Sequence, residues 1–398
     1  MWLINLYRNA FQGLSTNTWI LAITVLINRV GSMVLLFAPL FFTKDLGFTM
    51  SESGFAMGAY GIGGILGSYQ GGSLSDKYNF VKIMMITLII AGLFMIPLFF
   101  IKTYVPIVVI LFCIGFFSDM FRPANSLAIA AYSTPETRTR SFSLIRLAAN
   151  LGFGIGPAIG GIMAATIGFK WVFLFDALTC ILAALLVYIY LPISSGIKIQ
   201  RTEENEGKQS ENLSAYRDKT FLLFILMVCV YGICFFQLFA SVPLYFSREL
   251  HFDEKTIGYL LALNGLLVVL LEMPIISKLE TYHKPMRLVA FGCLMMVMCY
   301  PFLFITSFPI IACIIYTILI TFAEIFAMPF MSNYAVSRPH DSRRGQYMAL
   351  YSIAYGLAIT VAPTFGLSIA DNFGFSVLYP IIIGISLVLA FFFYRLDN

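Results

Sequence analysis

The chain has 398 residues, of which 60% are hydrophobic and 11% charged, with a net charge of +5 and a mean hydropathy of +0.87. Soluble domains carry roughly 25% charged residues, so this composition, with its 39 Phe and 21 Tyr, excludes that class. Three His, no Gly-rich phosphate loop and no nucleophile–base arrangement give no support to an ATP-driven pump or an enzyme.

A membrane-crossing helix needs about 20 mostly apolar residues. Runs of that length recur along the chain, and the ten-residue alternation of a membrane β-barrel does not. The opening Met1–Gly13 is expected to be a short amphipathic lead-in rather than a signal peptide, since no small-residue cleavage site follows a short apolar core. The first span, 19–42, holds Asn28 and Arg29, and the second, 53–75, leads into the loop "GGSLSDKYNFVK". Spans three and four cover 80–101 and 105–132; the fourth contains "FFSDMFRPAN", which puts Asp119 and Arg122 in apolar surroundings. Spans five and six, 140–166 and 170–192, hold Arg146 and Asp176.

A polar stretch at 194–218, rich in Glu, Lys, Ser and Gln, reads as a flexible cytoplasmic linker. Six further spans follow at 219–246, 254–278, 284–307, 308–335, 344–370 and 374–395, with Gln237, Asn264, Glu272, Glu324 and Asp371 inside them. The expected fold is therefore all-α and integral to the membrane, with twelve transmembrane helices. It divides into an N-terminal bundle at 1–193, the linker, and a C-terminal bundle at 219–398.

Lys and Arg mark the cytoplasmic side. With both termini inside, seventeen of the 25 fall in cytoplasmic segments, five in outer loops, and Arg29, Arg122 and Arg146 within spans. The positive net charge thus reports orientation in a cell membrane and needs no nucleic-acid partner. Seven cysteines (113, 180, 229, 234, 293, 299, 313) lie in spans without metal-ligand spacing and read as packing residues. No cofactor or metal is expected.

The halves resemble each other at an offset of about 205: "APLFFTKDLGFTMSESG" answers "VPLYFSRELHFDEKTIG", and Pro123 answers Pro329. "GPAIGGIMAATIGF" answers "APTFGLSIADNFGF". Two six-span repeats are the mark of bundles that rock about a site near the midplane.

In "GGSLSDKYNFVK", Gly72, Asp76 and Lys77 resemble the cytoplasmic loop signature of the major facilitator superfamily. Asn79 stands where that signature has Gly, in a position expected to need a left-handed turn, and Phe80 and Val81 replace basic residues. In "GFGIGPAIGG", Gly152, Gly156, Pro157, Gly160 and Gly161 resemble the superfamily's antiporter signature. "INRVGSMVLLFAPLFF" and "AEIFAMP" are similar to the first and tenth spans of its drug-efflux branch. The resemblance covers nearly the whole chain. It implies a secondary carrier of two bundles related by a pseudo-two-fold axis, which exchanges protons for small molecules; the short loops point to a bacterial inner membrane, and a monomer is expected.

Charges inside a membrane are expensive and mark function. Asp119 and Arg122, three apart, share a helix face and can pair, which leaves Asp119 either a proton-titrating carboxylate or half of a structural ion pair. Glu324 has no basic residue one turn away and is the leading proton-coupling candidate, with Asp119 and Glu272 beside it. Arg29, Arg122, Arg146, Gln237 and Asn264 are the counter-ion or cavity candidates, and Asp176 and Asp371 read as capping or interface groups. Two functions follow. One is proton-coupled export of lipophilic or amphipathic molecules. The other is a proton-coupled carrier of a defined anionic or zwitterionic nutrient, peptide, sugar or siderophore, which the embedded arginines suit. A receptor that has lost transport is the third, weakened by the intact repeat.

Overall fold

Long apolar runs without a polar partner for their backbone must close their hydrogen bonds within the segment, so the chain folds into helices. The computed structural model describes residues 13–134, 137–192, 215–279, 284–338 and 344–396. The linker up to residue 214, the lead-in up to residue 12 and the side chain of Asp76 lie outside the described residues.

In chain order the helices are α1 (Thr16–Val30), α2 (Val34–Lys44), α3 (Met50–Lys77), α4 (Phe80–Met95), α5 (Tyr104–Tyr132), α6 (Arg138–Thr166) and α7 (Phe169–Tyr190). They continue as α8 (Lys219–Phe235), α9 (Ser241–Arg248), α10 (Glu254–Leu279), α11 (Pro285–Cys299), α12 (Pro309–Ser337), α13 (Arg344–Phe373) and α14 (Phe375–Leu396). Among the described residues, eleven helical stretches are long and apolar enough to cross a membrane, with α1–α2 and α8–α9 each making one stretch. The expected second span is α3, a 28-residue helix. It is about 42 Å long, but its eight glycines and five serines make it less apolar than the others.

Polar residues start several helices. Ser15 accepts the Thr18 N–H at 3.2 Å and begins α1. Asn79 does not adopt the expected left-handed turn: at φ −64° its Oδ1 accepts the Val81 and Lys82 N–H groups at 2.9 and 3.3 Å and caps α4. An Asn cap makes the bend that the loop signature otherwise obtains from Gly. Asp218 caps α8 in the same way, accepting the Phe221 N–H at 3.0 Å.

Contacts divide the chain into two compact units, Met1–Ala38 with Ala59–Ile199, and Pro39–Gly58 with Gln200–Asn398. In the first, α1 packs on α6 and α7, and α4 packs on α5 and α7. Leu21, Val25, Met84, Leu88, Ala124, Ala128 and Val187 fill the space between them. The second repeats the pattern, with α8 on α13 and α11 on α12 and α14. Its core is aromatic: Tyr300 lies 5.3 Å from Tyr379 and 5.6 Å from Tyr316, centroid to centroid, within the range where ring pairs attract.

The repeat reaches the backbone. After α2, Asp45 and Leu46 donate to the Phe41 carbonyl and Phe48 to that of Phe42. After α9, Glu249 and Leu250 donate to the Tyr245 carbonyl and Phe252 to that of Phe246. The turn needs one left-handed residue, which is Gly47 at φ +73° in one copy and His251 at φ +54° in the other.

Where α3 crosses α5, Gly63, Gly67 and Gly71 line up at four-residue spacing against Phe112, Phe116 and Met120. A side chain at Gly67 would overlap the Phe116 carbonyl. Small residues at this spacing let helices approach closely and associate without a hydrophobic drive.

Candidate functional site

The first unit gathers polar groups where its first span breaks. Helix α1 ends at Val30 and α2 begins at Val34, with Gly31–Met33 forming a turn between them. Gly31 is needed there because the Thr179 side chain of α7 occupies the space of a Cβ. The buried Asp176 of α7 closes the turn: its Oδ2 accepts the Met33 and Val34 N–H groups at 2.9 and 2.8 Å. Asp176 is therefore a cap, as its sequence position suggests, but of another span's second half.

Beside the break lies a cavity of about 30 Å³, lined among others by Asn28, Arg29, Ser32, Tyr60, Asp119 and Asp176. Arg122 Nε donates to Asp119 Oδ1 at 2.9 Å, so the predicted i,i+3 pair forms. The Asp119 side chain is 20% exposed and that of Arg122 50%. Gly64 of α3 leaves room for this acid, since a Cβ there would sit 2.6 Å from Asp119 Oδ2. Arg29 lies within electrostatic reach of Asp119, Arg122 and Tyr60, and its guanidinium stacks 5.3 Å from the centre of the Phe153 ring. Arg146 is exposed on α6 and is not in the cavity lining.

The antiporter-like glycines of α6 form the wall behind this site. A Cβ at Gly152 would meet the Arg29 Cβ at 2.5 Å, one at Gly156 the Val30 carbonyl oxygen at 2.8 Å, and one at Gly160 the Met33 sulfur at 2.8 Å. Pro157 and Gly161 are buried on the same helix. The glycines thus seat α6 on both sides of the broken span and hold Arg29 in place. At the loop signature, Gly72 has open space around it and Lys77 is exposed.

In the second unit, Asn264 on α10 donates through Nδ2 to Glu324 Oε2 at 3.2 Å and to Thr321 Oγ1 at 3.0 Å, both on α12. Two sequence candidates are thereby brought together, and Glu324 has a polar neighbour that its own helix does not supply. Tyr231 and Tyr355 lie within its electrostatic reach. Glu272 is buried on α10, eight residues beyond Asn264, or about 12 Å along the axis. Gln237 is fully buried and fastens two helices, donating to the Ile233 and Ala362 carbonyls at 3.2 and 2.8 Å. Gly366 makes the room, because its missing side chain would collide with the Gln237 amide. Asp371 accepts the Ser51 N–H at 3.1 Å and so caps α3.

Tyr60 was not singled out from the sequence, although the repeat points to it. Aligning Phe48, Gly54 and Gly61 with Phe252, Gly258 and Gly265 sets Tyr60 opposite Asn264. Asp119 lies four residues before Pro123 and Glu324 five before its counterpart Pro329, so the two acids stand one position apart on corresponding helices. Each unit thus places a polar residue of its second span near an acid of its fourth.

A sequence model of the Major Facilitator Superfamily matches residues 20–363. The chain is 24% identical over 389 residues to an uncharacterised MFS-type transporter of Methanocaldococcus jannaschii, covering 94% of this chain and 97% of that one. It is 26% identical over 258 residues to the quinolone resistance protein NorA of Staphylococcus aureus, covering 63% and 64%. Among solved structures, a peptide transporter, POT, superposes with a TM-score of 0.82 at 13% identity, covering 97% of this chain and 96% of that one, a likeness of fold.

Proposed function

From the premise that the chain belongs to the major facilitator superfamily, and so is a multi-pass membrane transporter of small molecules and not an enzyme, we propose that it exports lipophilic or amphipathic molecules in exchange for protons. The observation that carries this reading is the pair of acids, Asp119 and Glu324, one position apart on the fourth span of the two repeats, each beside a polar residue of the second span in its own unit. An acid that gains and loses a proton biases one conformation over another, and cargo that competes with the proton is thereby coupled to it. The antiporter-like glycines seated on the break beside Arg29, and the resistance protein among the relatives, agree with export. The setting is a bacterial inner membrane with both termini in the cytoplasm, the protein acting as a monomer by alternating access.

A second reading, a carrier of one anionic or zwitterionic metabolite, is favoured by Arg29 and the half-exposed Arg122 guanidinium. Protein in liposomes under an imposed pH gradient separates the two. Lipophilic cations that elicit proton flux support drug–proton exchange. Flux elicited by anionic cargo and by no cation supports the second reading.

A further inference from the structure

Asp176 is fully buried, and the two oxygens of its carboxylate have different surroundings. Oδ2 is held by the Met33 and Val34 N–H groups at the start of α2. Oδ1 is buried with no hydrogen-bond partner among the described residues, and Asp176 lines the cavity that also holds Asp119. Among the described residues no ion pair involves Asp176. A buried carboxylate oxygen without a donor is costly as an anion. As a neutral acid the same oxygen becomes an O–H donor, and a cavity of about 30 Å³ has room for a water to receive it.

We propose that Asp176 is a proton-binding residue of the transport cycle, in which Oδ1 takes up a proton from the cavity shared with Asp119 while Oδ2 stays docked on the start of α2. This rests on the proton-coupled reading above. On release, the Oδ1–H bond breaks and the proton passes through cavity water to the Asp119 carboxylate. The charge left on Asp176 strengthens both N–H bonds, because a charged acceptor at a helix start binds more tightly than a neutral one. The protonation state of Asp176 therefore sets how firmly α2 is held at the break. The titratable and charged groups facing this cavity are Arg29 from α1, Tyr60 from α3, Asp119 with Arg122 from α5, and Cys180 from α7 itself; α4 contributes the uncharged Met95. Arg29 in the lining opposes a metal cation there, whereas a proton leaves Asp176 neutral beside it.

Difference infrared spectroscopy of the full-length protein in bilayers reads each protonated carboxyl by its carbonyl stretch, with no cargo present. Acidifying the wild type is expected to raise a band that is lost in Asp176→Asn, shifted in Asp176→Glu and retained in Glu324→Gln. The Asn side chain keeps a carbonyl acceptor for the two N–H groups, and thermal melting reports whether the fold is kept. A band unchanged in Asp176→Asn overturns the proposal. If that variant does not fold, an unshifted band in Asp176→Glu overturns it equally. Because the band is read without cargo, liposomes in which no cargo of any kind elicits proton flux would remove the proton-coupled reading and leave the protonation of Asp176 to its own result.

Discussion

Asn264 and Glu324 face each other across α10 and α12, with Nδ2 3.2 Å from Oε2. Replacing Glu324 by Gln keeps an oxygen that accepts from Asn264 and removes the proton. Glu324→Gln should therefore melt like the wild type in detergent and lose pH-driven transport in liposomes. Undiminished transport by a folded variant would take Glu324 out of the mechanism.

Asp119 tests the other repeat. Its pairing with Arg122 is an i,i+3 contact to a half-exposed guanidinium, which contributes about 1 kcal/mol or less. Asp119→Asn is expected to leave the melting temperature within a few degrees of the wild type and to abolish proton flux. A large fall in melting temperature with coupling intact would make the pair structural.

A further prediction concerns pH and stability. Arg338 grips Asp218 through two nitrogens, Nε to Oδ2 at 2.7 Å and Nη2 to Oδ1 at 3.0 Å, while the Tyr347 hydroxyl donates to Oδ2 at 3.1 Å. The Arg338 hydrogen bond holds the Asp218 carboxyl below its ordinary value, and Asp218 in turn raises Arg338. A carboxyl depressed in the folded state stabilises above its unfolded pKa of about 3.9, and that contribution disappears as pH falls through the folded value. Asp218→Asn, which keeps the helix cap, should cost about 1 kcal/mol at neutral pH. Melting curves of variant and wild type should converge below about pH 4; a gap that persists in acid would exclude the ion pair as its cause.

The two turns of the repeat offer a paired test. A left-handed non-glycine residue costs roughly 1–2 kcal/mol, against about 0.4–1 kcal/mol of unfolded-chain entropy that a glycine adds. Both positions are exposed, so packing does not enter. His251→Gly should raise stability by about 0.5 kcal/mol, and Gly47→His should lower it by a similar amount. Equal shifts of the same sign in thermal melting would show that strain at the turn is not the cause.

At the α3–α5 crossing, Gly67→Ala forces a methyl into the Phe116 carbonyl, at about 1–3 kcal/mol. Gly72→Ala on the same helix meets nothing within 4 Å and should be neutral or gain up to about 1 kcal/mol from helix propensity. Thermal melting of the two variants in detergent separates a packing role from a general intolerance of substitution.

The helices, the repeat and the Asp119–Arg122 pair were legible because each rests on local spacing: a run of apolar residues, a fixed offset, a three-residue step. The break in the first span was not, since "VGSMV" lies within an unbroken apolar run and the group that stabilises the break, Asp176, comes more than 140 residues later. Asn264 could be named as polar within a span, but its choice of Glu324 depends on how α10 meets α12. Gln237 reads from the sequence as a cavity candidate, but the space left by Gly366, more than 120 residues later, lets it bond the Ala362 carbonyl of another helix. Asn79 stands where the signature has a glycine, and it makes the bend by capping rather than by a left-handed backbone.

The second compact unit takes in Pro39–Gly58, a segment made early in the chain. Lys44 binds Glu254 at 2.7 Å, and the Ser51 N–H waits for Asp371, 320 residues downstream. At a synthesis rate of ~5–20 residues per second, that is roughly 16–64 s on the ribosome. Glu254 is made part-way through this interval, and the contact with Asp371 forms only near its end, so the segment gathers its final partners in stages. Cutting the chain at the linker would leave the first unit's residues together and separate the second unit from its Pro39–Gly58 piece.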